Sequence, residues 1–247
     1  EIMPSLVGSE MCIRDRFNGG IGGDTAYDMN KRLDGDIFSK NPTVLMVTFG
    51  MNDSGYYEYN GDNAKEFGEQ KYQESIKNFQ QMEKRFKELP HTRIVMTGTS
   101  PYDETAQIKD NTVFKKKNET IKRIIEYQRE SAARNGWEFT DWNAPMVAIN
   151  QELQQKDPSF TLCGNDRIHP DNDGHMVMAY LFLKAQGFAG KDVANMEINA
   201  NKKQAVKAEG CTISNIKKIG KDISFDYLAE ALPYPLDTIA RGWGSKK

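Results

Sequence analysis

The chain has 247 residues, and its 33 basic residues nearly balance its 35 acidic ones, for a formal net charge of −2. This length suffices for one sizeable buried core with a small appendage, and a balanced charge without long runs of one sign gives no reason to expect nucleic acid or an anionic membrane as a partner. No apolar stretch reaches the roughly 18 residues of a membrane span, and three cysteines without a Cys-x-x-Cys spacing predict neither a disulfide framework nor a structural metal site.

The first sixteen residues have the pattern of a sequencing artefact. Residues 6–15, LVGSEMCIRD, can be back-translated as CTC GTG GGC TCG GAG ATG TGT ATA AGA GAC, which resembles a transposon-type sequencing adapter. We therefore expect residues 1–16 to be foreign and exclude them from the prediction of the fold. The native sequence is then expected to begin near Phe17, with its N-terminal part missing. We expect truncation at the C-terminus as well, where the chain stops at Gly-Ser-Lys-Lys.

The rest of the chain predicts alternating helices and strands. Apolar residues that step by three and four indicate helices, and short β-prone apolar runs such as VLMVTF indicate strands covered on both faces of a parallel sheet. The predicted order is helix 25–38, strand 44–49, helix 70–89, strand 94–99, helix 113–134, strand 137–140, helix 144–155, a polar turn over 164–174, and helix 175–185. Beyond residue 191, short strands are predicted over 196–206 and 212–225.

This order predicts an α/β fold, a three-layer α/β/α sandwich with a parallel sheet whose first strand is missing, plus a small β-rich C-terminal segment. The predicted organisation is a foreign segment over 1–16, a main domain over 17–190 and a C-terminal extension over 191–247.

Three short clusters lie at predicted strand-to-helix turns, where open α/β sheets place ligands. The first is NGGIGGDT at residues 18–25, whose glycines allow backbone amides to approach a ligand. The second is GMND at 50–53, directly after a predicted strand, and the third is DRIHP at 166–170. A carboxylate three residues before a histidine can orient the ring as a general base.

In this order the three clusters resemble the blocks of the GDSL or SGNH hydrolase family, with its flavodoxin-like fold, over about residues 17–188. The resemblance implies a serine esterase that needs no metal or cofactor. It assigns the oxyanion donors to the backbone N–H of Gly23 and the side-chain amide of Asn52, the base to His169 and its orienting carboxylate to Asp166.

The sequence departs from the family pattern at the nucleophile. No Gly-Asp-Ser block precedes NGGIGGDT, and Ser9 is a decoy because no aspartate precedes it and its segment is predicted to be foreign. Since removal of a triad serine typically costs about a million-fold in turnover, we expect the chain as written to be nearly inactive.

The resemblance favours small O-acyl groups as substrate, such as acetyl esters on a carbohydrate, with Tyr56 and Tyr57 forming an aromatic wall beside the site. It also favours an exported protein, secreted or periplasmic, and leaves the oligomeric state open. Two alternatives remain: a lipid or thioester acyl hydrolase, and a carbohydrate-binding module that kept the fold and lost the chemistry. Dinucleotide binding is excluded because the glycine cluster lacks the GxGxxG arrangement.

Overall fold

The structure is a computed structural model that describes residues 16–109 and 112–231. The adapter-like segment with Ser9 and the C-terminus from residue 232 onward lie outside the described residues. The described chain forms two compact units, one of residues 16–99 and 113–139, the other of residues 100–109, 112 and 140–231.

The first unit contains a parallel sheet and three helices. Strand β1 pairs with β2 in parallel register, from Val44 opposite Arg93 to Phe49 opposite Gly98, and β3 follows in the order β1-β2-β3. The element bounds are α1 Ala26–Arg32, β1 Val44–Phe49, α2 Ala64–Phe86, β2 Arg93–Gly98, α3 Lys117–Asn135 and β3 Glu138–Asp141, the last of which contributes its first two residues to this unit.

The core of this unit lies between the sheet and these helices. Each helix contributes apolar residues at helical spacing, and β1 and β2 contribute alternate residues. The buried cluster comprises Ala26, Leu33, Val47, Phe49, Phe79, Met82, Phe86, Ile94, Met96, Ile124 and Ala132.

The burial of one strand and the regularity of one helix differ from the sequence prediction in this unit. The strand predicted to be covered on both faces is buried on one: Val47 and Phe49 are in the core, whereas Val44 and Met46 are each 50% exposed. An apolar run cannot distinguish the two cases, because it lacks the polar alternation of a half-exposed strand. The helix predicted over 25–38 is regular only to Arg32, continues as a π-helical turn, Leu33–Ile37, and ends in a 3-10 turn, Phe38–Lys40.

The second unit contains two helices and two antiparallel hairpins. Helix α4, Asn143–Leu153, contributes Met146 to a buried cluster with Trp142, Leu162 and Cys163, and partly buried residues of helix α5, Asn172–Ala185, pack against it. The predicted C-terminal strands form the hairpins β4 Asn195–Asn199 with β5 Gln204–Glu209, and β6 Cys211–Ile219 with β7 Asp222–Ala229.

The fold is therefore of the predicted α/β class, with a parallel sheet and small antiparallel strands near the C-terminus. Among the described residues, no helix is both long and apolar enough to cross a bilayer.

Candidate active site

Asn52 lies in the loop that follows β1, in the first unit. Its Nδ2 donates a hydrogen bond to the carbonyl oxygen of Asp24 over 3.0 Å, and its Oδ1 accepts one from the hydroxyl of Tyr56 over 2.6 Å. Because a carbonyl oxygen can only accept, the contact with Asp24 identifies the atom facing it as nitrogen. The amide therefore has a defined orientation, and Nδ2 carries a second proton beyond the one given to Asp24.

Gly23 lies in the turn before α1, next to the residue that Asn52 contacts. Its φ is +89°, in the region that favours glycine, and a Cβ built there would meet nothing within 4 Å. The requirement for glycine is thus conformational rather than steric. After this turn, Asp28 Oδ2 accepts hydrogen bonds from the backbone N–H and the hydroxyl of Thr25, the residue just before α1. The side chain of Asn52 therefore contacts the backbone of the residue that follows Gly23.

Asp53 is a buried carboxylate beside Asn52 to which the sequence analysis gave no role. It is 6% exposed and accepts hydrogen bonds from the backbone N–H groups of Ala26 and Gly50 and from the hydroxyl of Ser75, each over 3.0 Å. Burial raises the pKa of Asp53, although these three hydrogen bonds act in the opposite direction. Asp53 thereby joins the start of α1, the end of β1 and helix α2.

Lys117, the first residue of α3, is also buried beside this loop. It is 0% exposed, and its Nζ donates hydrogen bonds to Met51 O, Ser54 Oγ and Gly55 O over 2.6, 2.6 and 2.5 Å. The sequence analysis missed it because a lysine in a run of three gives no sign of burial.

Asp166 and His169 lie together in the turn before α5, in the second unit. Asp166 Oδ2 is 2.6 Å from His169 Nδ1, and Asp166 Oδ1 accepts hydrogen bonds from the backbone N–H groups of Ile168 and His169, each over 2.9 Å. Partial burial raises the pKa of Asp166, but the hydrogen bonds from His169 and Ile168 outweigh it, and the net pKa lies below the ordinary value. Asp166 is therefore ionised at neutral pH.

An ionised carboxylate can only accept, so His169 Nδ1 carries the proton of this hydrogen bond. In the neutral ring the lone pair then resides on Nε2, the nitrogen that can take up a proton. The pair has the chemistry of a general base with an orienting carboxylate.

Two further residues hold this turn in place. Gly164 has φ +69°, and a Cβ there would lie 2.3 Å from the carbonyl oxygen of His169. Arg167 also has positive φ, +69°, is 1% exposed, and donates from Nη1 to Asp103 O and Ala106 O over 3.1 and 2.7 Å. The sequence signal for Gly164 was a glycine at the start of a predicted turn, whereas nothing in the sequence marked Arg167 as buried.

The two tyrosines predicted to form an aromatic wall beside the site, Tyr56 and Tyr57, differ in their surroundings. Tyr57 is 79% exposed, with its ring edge-on to Phe114 at 5.4 Å. The hydroxyl of Tyr56 is engaged with Asn52, and its ring also lies edge-on to Phe114, at 6.0 Å. Within the described parts of the chain, no group of three or more His, Cys, Asp or Glu side chains is arranged to hold a metal ion.

The chain is similar in fold to known esterases. The acetylxylan esterase Axe2 of Geobacillus stearothermophilus has 23% identity and a TM-score of 0.51, and the match covers 68% of this chain and 70% of that one. A variant of Axe2, described as an acetyl-xylooligosaccharide esterase, gives 20% identity and a TM-score of 0.52 over the same shares. The acetyl xylan esterase AlAXEase gives 24% identity and a TM-score of 0.45, over 67% of this chain and 78% of that one. No curated protein sequence matches the chain.

The family assignment rests on the sequence itself. The model of the GDSL-like lipase/acylhydrolase family matches residues 2–177, well over half of the chain, and the matched range includes all three clusters. It begins at residue 2, inside the segment of residues 1–16 that is predicted to be foreign. The resemblance found in the sequence is thus confirmed, and the chain belongs to the GDSL-like lipase/acylhydrolase family of carboxylic ester hydrolases.

Proposed function

We propose that this chain carries the oxyanion donors and the acid–base pair of a serine hydrolase that releases small acyl groups, foremost acetyl, from carbohydrate esters. Gly23 N–H and the second proton of Asn52 Nδ2 bind the oxyanion. His169 is the base, and Asp166 holds its ring in one tautomer. The observation that carries this proposal is the 2.6 Å contact between Asp166 Oδ2 and His169 Nδ1.

These groups have complementary tasks in ester hydrolysis. The base removes the proton of the attacking hydroxyl, the carbonyl oxygen becomes an oxyanion, and the protonated ring returns its proton to the leaving alcohol. Water then hydrolyses the acyl-enzyme by the same steps. Ionised Asp166 stabilises the imidazolium that forms twice in this cycle, and each oxyanion donor typically contributes about 100- to 1000-fold in rate.

The nucleophile is the exception in this chain. No serine in the sequence follows a Gly-Asp pair, so we propose that the chain as written turns over esters very slowly. The corresponding loss in serine hydrolases is about a million-fold.

The structural neighbours support both the proposed residue roles and the proposed substrate. In Axe2, an acetylxylan esterase, catalytic mutants replace a serine, an aspartate and a histidine by alanine, and that aspartate precedes that histidine by three residues. Asp166 and His169 have the same spacing. The exposed ring of Tyr57 offers a flat apolar face of the kind that sugar rings stack on, and we assign it, with Tyr56, to substrate contact.

Hydrolysis of p-nitrophenyl acetate tests the catalytic part of the proposal. We expect the full chain to give a rate within a few-fold of the His169→Ala variant, because neither has a complete triad. A rate near that of ordinary esterases, abolished in His169→Ala, would overturn the proposed lack of a nucleophile.

The same lack of turnover allows substrate binding to be measured with the ester intact. We expect acetylated xylo-oligosaccharides to bind saturably and to shift the NMR signals of both Asn52 and His169, whereas the deacetylated oligosaccharides bind more weakly. Equal affinity for the two would support a carbohydrate-binding module instead. Tighter binding of a long-chain acyl ester than of the acetylated sugar would support a lipid or thioester acyl hydrolase.

A further inference from the structure

The side-chain amide of Asn52, in the loop from Gly50 to Tyr56, can adopt two orientations of nearly identical shape. The oxygen and nitrogen of an asparagine amide have similar size, so rotation by 180° exchanges a donor for an acceptor with little steric cost. Only the form with nitrogen toward the substrate can stabilise an oxyanion. The surroundings of the amide must therefore favour one form over the other.

Two neighbours of Asn52 favour the same form. Asp24 O accepts from Nδ2, and the Tyr56 hydroxyl, which is the one group that can donate to Oδ1 among these contacts, is 2.6 Å from it. Rotation of the amide would place a nitrogen donor against the hydroxyl and an oxygen against the carbonyl of Asp24. The second of these contacts is repulsive, and the first survives only if the hydroxyl reverses its proton.

Lys117 contacts both the loop backbone around Asn52 and the ring of Tyr56. Its Nζ binds Met51 O on one side of Asn52, and Ser54 Oγ and Gly55 O on the other. It also lies 3.9 Å from the centroid of the Tyr56 ring, within cation–π range. An ammonium group has donors only, so all its oxygen partners must turn toward it, and complete burial removes the alternative of binding water.

The backbone of the loop closes on itself in the same region. Ser54 N–H donates to Gly50 O and Gly55 N–H donates to Asn52 O, each over 3.0 Å. These turns direct Met51 O and Gly55 O to one point, where the ammonium group of Lys117 lies.

From this arrangement we propose that Lys117 and Tyr56 are positioning residues that fix the Asn52 amide with Nδ2 as the outward donor. The inference rests on the proposed oxyanion role of Asn52 and deepens it. Lys117 acts through the loop and through the Tyr56 ring, and Tyr56 acts directly through its hydroxyl. Lys117 does this without touching the substrate, and Tyr56 does it in addition to the substrate contact proposed above.

The test is NMR of the full chain labelled with ¹⁵N, with the Asn52 side-chain amide as the readout. Its two proton signals are assigned by their loss in Asn52→Asp. We expect Tyr56→Phe and Lys117→Met each to shift these signals and to speed their exchange with water by about tenfold, the factor that loss of one hydrogen bond gives. Lys117→Arg, which restores a cation, should recover part of the effect.

Two control variants separate positioning from general stability. Tyr57→Phe removes a tyrosine hydroxyl from the next residue, whose ring also lies edge-on to Phe114. This variant should leave the Asn52 signals unchanged. Ser131→Ala removes a buried hydrogen bond to Glu83 from the same helix as Lys117. It lies fourteen residues further along α3, about 21 Å away, and should lower the melting temperature without moving the Asn52 signals.

Unchanged Asn52 signals in folded Lys117→Met and in Tyr56→Phe would overturn the inference. If Lys117→Met does not fold, Tyr56→Phe against Tyr57→Phe still decides the matter for the hydroxyl, and Lys117→Arg decides it for the cation. Failure of the proposed function would look different: acetylated sugars would leave the Asn52 signals unmoved in the wild type, whether or not those signals respond to Lys117→Met.

Discussion

The carboxylate of Asp53 accepts a hydrogen bond from the backbone N–H of Ala26, a residue 27 positions earlier in the chain. This contact joins the first helix to the loop after β1, so that the turn with Gly23 and the loop with Asn52 share one anchor. The same carboxylate binds Gly50 N–H and the Ser75 hydroxyl.

Replacement of Asp53 by asparagine should destabilise the chain. The side-chain nitrogen of the asparagine is a donor and would face at least one of the three groups that donate to Asp53. Two buried donors that face each other cost about 1–3 kcal/mol in the free energy of unfolding. Urea denaturation at pH 7 measures this loss. Asp62→Asn, at an exposed position, should change the free energy by less than about 0.5 kcal/mol; an equal effect of the two variants would contradict the anchoring role of Asp53.

The pH dependence of stability should also reflect Asp53. Burial raises its pKa above the ordinary 3.8, so the folded chain keeps this proton to a higher pH than the unfolded chain does. The contribution of Asp53 to stability is therefore greatest below pH 3.8 and is lost as the pH rises through the folded pKa. The difference in free energy of unfolding between wild type and Asp53→Asn should shrink over that window, and a difference that grows with pH would refute this assignment.

Asp166 should show the opposite behaviour. Its net pKa lies below 3.8 because the hydrogen bonds from His169 and Ile168 outweigh partial burial. Its contribution to stability is present above pH 3.8 and is lost as the pH falls through the lower folded pKa. Titration of the ¹³C signal of the carboxyl group measures this pKa, and a midpoint at or above 3.8 would show that the contact with His169 is not formed. The contribution should be small, since the side chain is 46% exposed.

Gly164→Ala should disturb the turn that carries Asp166 and His169. The added Cβ would lie 2.3 Å from His169 O, and the residue has positive φ, +69°. Gly136 is a matched control, since its φ is +67° and a Cβ there would meet nothing within 4 Å. We expect Gly136→Ala to cost about 1 kcal/mol for conformation alone, Gly164→Ala to cost clearly more, and only Gly164→Ala to shift the His169 ring signals. Equal costs would mean that the turn yields to the methyl group without strain.

Two substitutions of Arg167 should separate the cost of its positive φ from the contribution of its side-chain hydrogen bonds. Both Arg167→Ala and Arg167→Gly remove the hydrogen bonds to Asp103 O and Ala106 O, but glycine accepts the positive φ of +69° at lower cost. Arg167→Gly should thus be more stable than Arg167→Ala by about 1 kcal/mol, with both below the wild type in thermal unfolding. An alanine variant as stable as the wild type would show that the anchor contributes nothing.

The sequence was most informative where local pattern decides structure. The strands at Val44–Phe49 and Arg93–Gly98 followed from apolar runs, and the long helices followed from apolar periodicity. Helix α2 nevertheless begins at Ala64, six residues before its predicted start, because its first six residues, AKEFGE, contain one large apolar side chain, Phe67, which is too little for a periodic signal. The three-residue spacing of Asp166 and His169 likewise sufficed to expect them side by side.

The supporting residues of the site could not be predicted in this way. Asp53, Lys117 and Arg167 are charged, and charged side chains are by default expected at the surface. Their burial depends on partners that folding brings from elsewhere in the chain: Ala26 and Ser75 for Asp53, and Met51 for Lys117. The spacing of apolar residues within one segment does not indicate such distant partners.

The open face of β1 sets Met46 apart from the methionines of the core. Met46 is half exposed on that strand, whereas Met82 and Met96 are fully buried. A mild oxidant such as dilute peroxide would therefore convert the thioether of Met46 to its sulfoxide long before it reached the other two, and the added oxygen mass on the peptide that contains Met46 would then mark the exposed face of the strand.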